Sequence, residues 1–270
     1  MRTGRSTLTA ALTGALALGV FTAPPAQAAD TGIKISNVVV NKGKPIVVGI
    51  TDVKVPSISY RATAPSGYTH AAVDTTPFLY HGTTAAKASE TDAGDGLIQH
   101  DLIYCYEDGR YAENCEGGLR IDPRYNLDSN NDATTWKLAF NAFLSNKDRI
   151  ESHGYLTGLG SLQVKRAARA TVNASPEPVA KNKTLTVTGK LTRADWVRHA
   201  YVGYGNKLAK LQFRKAGTST YTTVKYVRAS STGALKTTVT ATTDGYWRWT
   251  FGQTSTTGGA TAKGDYVDVR

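Results

Sequence analysis

Cysteine is scarce in this chain of 270 residues, which has only Cys105 and Cys115. Two thiols are too few for a scaffold built on disulfides or for a four-thiolate zinc site. The sequence also has no nucleophile elbow, phosphate-binding loop, dinucleotide fingerprint or metalloprotease helix motif. The five histidines, His70, His81, His100, His153 and His199, show no short metal-ligand spacing, so no catalytic residue is assigned and a non-enzymatic protein is expected. Acidic residues are few in the last hundred positions, where 5 Asp and Glu stand against 15 Lys and Arg. No apolar run beyond residue 28 approaches the ~20 residues that a membrane-spanning helix needs. With 40% hydrophobic and 20% charged residues, the composition excludes intrinsic disorder and a polytopic membrane protein.

What is present begins with an export signal. Arg2 and Arg5 precede an apolar stretch over residues 8–21, and Ala26-Gln27-Ala28 forms a small-x-small cleavage site. Residues 1–28 therefore read as a Sec-type signal peptide, with cleavage near Ala28 and a secreted, extracellular product. There is no adjacent Arg-Arg pair for the twin-arginine route and no cysteine after the cleavage site to carry a lipid. In an oxidising compartment, Cys105 and Cys115 are expected to pair rather than bind metal or act as nucleophiles. Closing so short a loop stabilises by up to about 3 kcal/mol on the chain-entropy argument.

The formal net charge of +11 is unevenly placed. Two units belong to the leader, residues 29–170 carry −1, and residues 171–270 carry +10. A stretch over 171–179 containing Pro176 and Pro178 separates the two parts, placing an N-terminal module at 29–170 and a basic C-terminal module at 171–270. The C-terminal module alternates apolar and polar residues at Leu185, Val187 and Leu191, then at Leu211 and Phe213, Val224 and Tyr226, and Leu235 and Val239. Trp247, Trp249 and Phe251 continue the pattern, with Gly-containing turns between the runs. Period-two alternation in six or seven short runs over ~100 residues predicts an antiparallel β-sandwich. The N-terminal half reads as a more decorated sandwich with strands near 33–40, 45–51, 57–63, 97–105 and 161–165. Residues 134–143 fit a strand through Trp136, Leu138 and Phe140, or a helix through Trp136, Phe140 and Phe143; their β-rich surroundings favour a strand. Residues 81–132, holding 11 acids against 4 bases and both cysteines, read as an acidic insertion.

Two groups of residues are candidates for binding. Asp128, Asn130 and Asp132 place oxygen-bearing side chains at alternate positions, as a calcium loop does, with Asp122 as a further ligand. Ala133 and Ala139 stand where an EF-hand needs Gly and Glu, so only a looser calcium site is admitted; calcium is the one cofactor considered. In the basic module, Trp196, Arg198, Tyr201, Tyr204, Lys207, Lys210, Arg214, Lys225 and Arg248 form a basic and aromatic collection. Lys210, Arg214, Lys225 and Arg248 are expected to share the outward phase of their strands. Such a face attracts an extracellular anionic polymer or cell-wall component. Intracellular nucleic acid is a poor partner for an exported chain.

The residues 174–179, 185–193 and 210–214, with Asp244-Gly245-Tyr246-Trp247-Arg248 and residues 264–269, resemble actinobacterial, Streptomyces-like secreted proteins. That resemblance covers nearly all of 171–270 and, more loosely, 30–170. It implies two tandem immunoglobulin-like or fibronectin-like β-sandwiches behind a signal peptide, and some such proteins carry a calcium-binding label. It carries no catalytic residues across. The expectation is a secreted binding protein that works through its basic C-terminal sandwich. The alternatives are a calcium-binding secreted protein and an exported hydrolase or hydrolase inhibitor.

Overall fold

The computed structural model describes residues 31–90, 96–147 and 149–270, so the expected signal peptide lies outside the described residues. The chain is almost all β and forms two tandem β-sandwiches. The first contains β1 (Lys34–Val40), β2 (Ile46–Val48), β3 (Ser57–Thr63), β4 (Val73–Tyr80), β5 (Leu97–Glu107), β6 (Ala112–Leu119), β7 (Thr135–Asn146), β8 (Arg149–Leu156) and β9 (Ser161–Arg166), together with a short α-helix, α1 (Ala85–Glu90), and single 3-10 turns. One sheet is ordered β1-β3-β6-β5. The other continues through β4 to β7, β9 and β2, with β8 also on β7. Strand β5 joins the two sheets: Leu97–Gln99 pair with β4, and after a register shift Ile103–Glu107 pair with β6.

Alternation builds this core. Ile58, Tyr60 and Ala62 of β3 point inward, opposite Trp136, Leu138, Phe140, Ala142 and Leu144 of β7. The Tyr60 and Phe140 rings meet edge to face at 4.6 Å. Five inward residues at period two settle residues 134–143 as strand, since a helix would bury every third or fourth position instead. Each large side chain buried there contributes roughly 1.5–3 kcal/mol.

The acidic stretch 81–132 is not an insertion. It supplies β5 and β6, and its Cys115, Leu119, Ile121 and Leu127 are core residues. Among the described residues, its acids Asp101, Glu107, Asp108, Glu116 and Asp128 are exposed, which is why composition alone set it apart. Cys105 and Cys115 stand directly opposite one another in β5 and β6 and form the expected disulfide, with S–S 2.07 Å.

The second sandwich contains β10 (Ala168–Ala170), β11 (Asn173–Ser175), β12 (Thr184–Asp195), β13 (Ala200–Gly203), β14 (Leu208–Lys215), β15 (Thr222–Arg228), β16 (Ala234–Thr240), β17 (Gly245–Phe251), β18 (Ala260–Thr261) and β19 (Asp265–Val267). One sheet gathers β10, β11, β13 and β16 around β12, and the other runs β15-β14-β17 with β18 and β19 on β17. The core is Leu185, Val187 and Leu191 against Leu211, Trp247, Trp249 and Phe251. The boundary expected after residue 170 falls instead near Ala167, because Ala168–Ala170 pair with Leu191–Arg193 of β12.

No spacer separates the sandwiches. Strand β9 ends at Arg166 and β10 begins at Ala168. The turn between β12 and β13 reaches back into the first domain, where Trp196 is fully buried in that domain's core. Its indole Nε1 donates to the Gly49 carbonyl at 2.8 Å, and its backbone N–H donates to Asn130 Oδ1 at 3.0 Å. Backbone bonds from Arg166 to the Thr256 carbonyl, and from Gly258 to the Arg166 carbonyl, stitch the other side. The two domains are fastened by a side-chain plug and by backbone pairing together.

Candidate binding face of the second domain

Strands β14 and β17 divide their side chains cleanly. Ala209 and Leu211 of β14 are buried, and Phe213 packs on Trp247 at 4.7 Å, which leaves Lys210, Gln212 and Arg214 facing out. On β17, Trp247, Trp249 and Phe251 point in, so Tyr246, Arg248 and Thr250 point out. The register places these residues in rows. Lys210 lies opposite both Thr250 and Tyr226, Gln212 opposite both Arg248 and Thr223, and Arg214 opposite Tyr246, which in turn faces Tyr266.

Tyrosine rings support the charges on this face. The Arg214 guanidinium lies 4.1 Å from the Tyr246 ring centroid and 5.2 Å from that of Tyr221. Arg248 lies 3.6 Å from the Tyr221 centroid and donates from Nε to Gln212 Oε1 at 2.9 Å. Arg214 also donates to the Thr218 carbonyl. Lys210 Nζ is 5.8 Å from the Tyr226 ring, and Tyr246 and Tyr266 meet at 5.1 Å. Cation–π contacts at such sites contribute about 0.5–1 kcal/mol each, and they orient the charge without neutralising it. Among the described residues none of these three cations is in an ion pair. Tyr226 and Tyr266 are 56% and 42% exposed, so their rings are open to a ligand. The face has a negative margin: burial and then Asp244 and Asp268 push the Tyr266 hydroxyl's pKa up.

The nine residues expected to bind together are not brought together. Lys210, Arg214 and Arg248 do share the outer face. Lys225 does not, because it pairs with inward-facing Leu211 while Tyr226 takes the outward position. A register shift between Leu211 and Gln212 sets this phase. The other five lie toward the domain junction. Trp196 is sealed in the first domain and has no ring face for a ligand. Tyr204 is buried, Tyr201 lies beneath the Arg169 guanidinium at 3.6 Å, Lys207 is half-buried, and the backbone N–H of Arg198 caps Asp195. Reading the alternation of β17 through Tyr246, and extending it to Tyr221 and Tyr266, would have found the aromatic members that the sequence analysis left out.

The proposed calcium ligands are turned to other tasks. Asp132 Oδ2 accepts the Ser129 N–H at 3.0 Å and Oδ1 lies 3.3 Å from His81 Nε2, so Asp132 closes a capping box. Asn130 holds the Trp196 backbone, and Asp122 accepts both Nε and Nη2 of Arg124. Hydrogen bonds from Arg124 outweigh burial and hold the Asp122 carboxyl below its usual range. Asp128 is exposed. Among the described residues, the one group of three potential metal ligands is Cys105, Glu113 and Cys115, in which both sulfurs are already bonded to each other.

Titratable groups also gather in an open groove of about 400 Å³ where β5 leaves β4, lined by Asp74, His100, Asp101 and Glu113. Burial, opposed by His70 and assisted by Asp74, pushes the Glu113 carboxyl up. No helix among the described residues is long and apolar enough to cross a membrane.

No protein-family model matches the chain, and no curated protein matches it. Solved structures with some similarity include the ectodomain of mouse nectin-like molecule 4, at 13% identity and a TM-score of 0.23, covering 86% of this chain and 66% of that one. The Escherichia coli adhesin FdeC matches at 12% identity and a TM-score of 0.32, covering 90% of this chain and 65% of that one. The fibronectin(III)-like modules of Clostridium thermocellum CbhA match at 14% identity and a TM-score of 0.27, covering 88% and 92%. The chain thus spans just under two thirds of the first two structures. At these scores the likenesses carry no argument about function.

Proposed function

We propose that this chain is a secreted, non-enzymatic binding protein of the cell surface or extracellular matrix, and that the outer face of its second sandwich contacts an anionic polymer. The observation that carries this reading is the pair Arg214 and Arg248, set over tyrosine rings and, among the described residues, in no ion pair, within residues 171–270, whose net charge is +10. Guanidinium groups held in this way present fixed donors to sulfate, phosphate or carboxylate groups, and the neighbouring tyrosines offer flat surfaces to sugar rings. The leader-like residues 1–28 and the disulfide support an extracellular setting. The rows run across three strands, which suits an extended chain lying over a sheet better than a small molecule in a pocket.

Heparin serves as the probe. The intact protein is expected to be retained on immobilised heparin and released by salt, with a linear dependence of log affinity on log salt. Replacing both arginines (Arg214→Met with Arg248→Met) should reduce that slope by about two. Unchanged retention in the double variant would overturn the assignment of the face.

A further inference from the structure

We infer that copies of this chain assemble head to tail, the open edge of β5 in the first domain of one copy pairing with β15 in the second domain of the next. The inference does not depend on what the outer face of the second domain binds.

Two strand edges lie unpaired in the first domain. Strand β5 pairs with β4 over residues 97–99 and then crosses to β6. Beyond the crossing, residues 101–107 have β6 on one side and, among the described residues, no strand on the other. Residues 73–77 of β4 likewise pair with β7 alone. The two edges diverge across the open groove of about 400 Å³. Backbone N–H and C=O groups along such an edge are a template for a further strand. On β5, Leu102, Tyr104 and Tyr106 are each more than half exposed. The charge here is negative. Asp74, Asp101 and Glu113 line the groove, and among the described residues none of the three is in an ion pair.

The second domain offers a complementary edge. Strand β15 is the outermost strand of its sheet, with β14 on one side only. Its 7 residues match the length of the unpaired stretch of β5. Val224 and Tyr226 are about half exposed, as the apolar side chains of β5 are. Lys225 and Arg228 make the strand basic, and among the described residues neither is in an ion pair. Within one chain the two edges do not pair.

Charge selects among the possible pairings. Two β15 edges laid together would bring like charges face to face, and so would two β5 edges; like charges directly opposite are destabilising. Only β5 against β15 sets carboxylates beside cations while covering Leu102, Tyr104 and Tyr106 with Val224 and Tyr226. The wider balance agrees, since residues 81–132 hold 11 acids against 4 bases and residues 171–270 carry +10. Such an interface joins two different surfaces, so it propagates from copy to copy and does not close as a two-fold dimer. Pairing at an edge extends a sheet and leaves its faces uncovered, so Lys210, Arg214 and Arg248 stay open in every copy.

Sedimentation velocity of the full chain, over a wide range of concentration at low and high salt, tests the inference. The mean mass should rise with concentration and fall with added salt, because the charges at the joint are exposed and therefore screened. Lys225→Gln/Arg228→Gln, which alters one edge, and Asp74→Asn/Asp101→Asn, which alters the other, should each weaken association at least tenfold. All four residues are exposed, so both proteins should fold. Mixed in equal amounts, the two variants retain one native edge of each kind between them and should form a one-to-one complex and nothing larger. The Arg214→Met/Arg248→Met protein should still associate, which separates this inference from the assignment of the outer face. A native chain that stays monomeric at low salt would overturn the proposal. So would unchanged association in either variant, or a mixture that gains no complex over its separate components.

Discussion

Arginine, lysine and tyrosine build two places in the second domain that behave in opposite ways. On the outer sheet, Arg214 and Arg248 lie on Tyr221 and Tyr246 and remain open to solvent on one side. Toward the junction, Arg193 and Lys207 stand over the buried Tyr204 ring with buried Arg166 close by, and Trp196 is lodged in the neighbouring core. The difference lies in what each strand faces. β14 and β17 cover their own core and display the alternate phase, whereas the turn after β12 extends past its own domain and has the other domain to bury against. Similar side chains are therefore displayed to solvent in one place and drawn into the protein in the other.

The comparison is broken most strongly at Trp196. Trp196→Ala should cost about 3–5 kcal/mol, as for other fully buried aromatic residues. It should also separate one melting transition into two, which differential scanning calorimetry would register; a single transition with unchanged Tm would show that the plug is not structural.

A smaller effect is expected at Asp195. Burial raises its carboxyl pKa, but the Arg198 N–H, Asn130 and Arg166 together bring it below the usual 3.8. A carboxylate depressed on folding stabilises above its unfolded pKa, and that contribution is lost as pH falls through the folded value. Asp195→Asn should therefore cost about 1–2 kcal/mol at neutral pH. It should also flatten the fall in stability below about pH 4. Urea unfolding across pH 2–7 measures both.

On the outer face the order of effects reverses. Arg214→Met with Arg248→Met should change stability by less than about 1 kcal/mol while removing most heparin retention. Circular dichroism melts alongside chromatography separate the two readings. Gly264→Val is the finest probe. A Cβ there would overlap the Tyr221 hydroxyl and lie 3.3 Å from Tyr246 Cβ, so it should displace the Tyr221 ring without altering charge. Retention should fall modestly with the salt slope unchanged, and an altered slope would count against a stacking role for Tyr221.

Much of the fold was legible because alternation was regular. Residues 57–63 match β3, and Trp247, Trp249 and Phe251 mark the core face of β17. Strands β4 and β6 were not legible, for separate reasons. β4 carries Pro77 in its interior, which argues against a central strand; it is accommodated where β4 loses β5 as a partner, since their pairing starts at Phe78. β6 contains Gly117 and Gly118, whose lack of a side chain hides the pattern, and a Cβ at Gly117 would overlap the Leu102 carbonyl of the neighbouring strand. The candidate site was half legible. Composition located the charge in the second domain, and alternation placed Lys210, Arg214 and Arg248 together. The burial of Trp196 depends on a contact between residues 147 positions apart, Trp196 with Gly49, which no local pattern reveals. The phase of Lys225 was misjudged for another non-local reason, the register shift opposite β14.

The central claim is that this protein meets its ligand on the outer sheet of the second domain. Amide hydrogen exchange of the full chain, with and without heparin, tests it most directly. The account predicts added protection in Leu208–Lys215, Thr222–Arg228 and Gly245–Phe251. Protection confined to the first domain, or absent from those three strands, would contradict it.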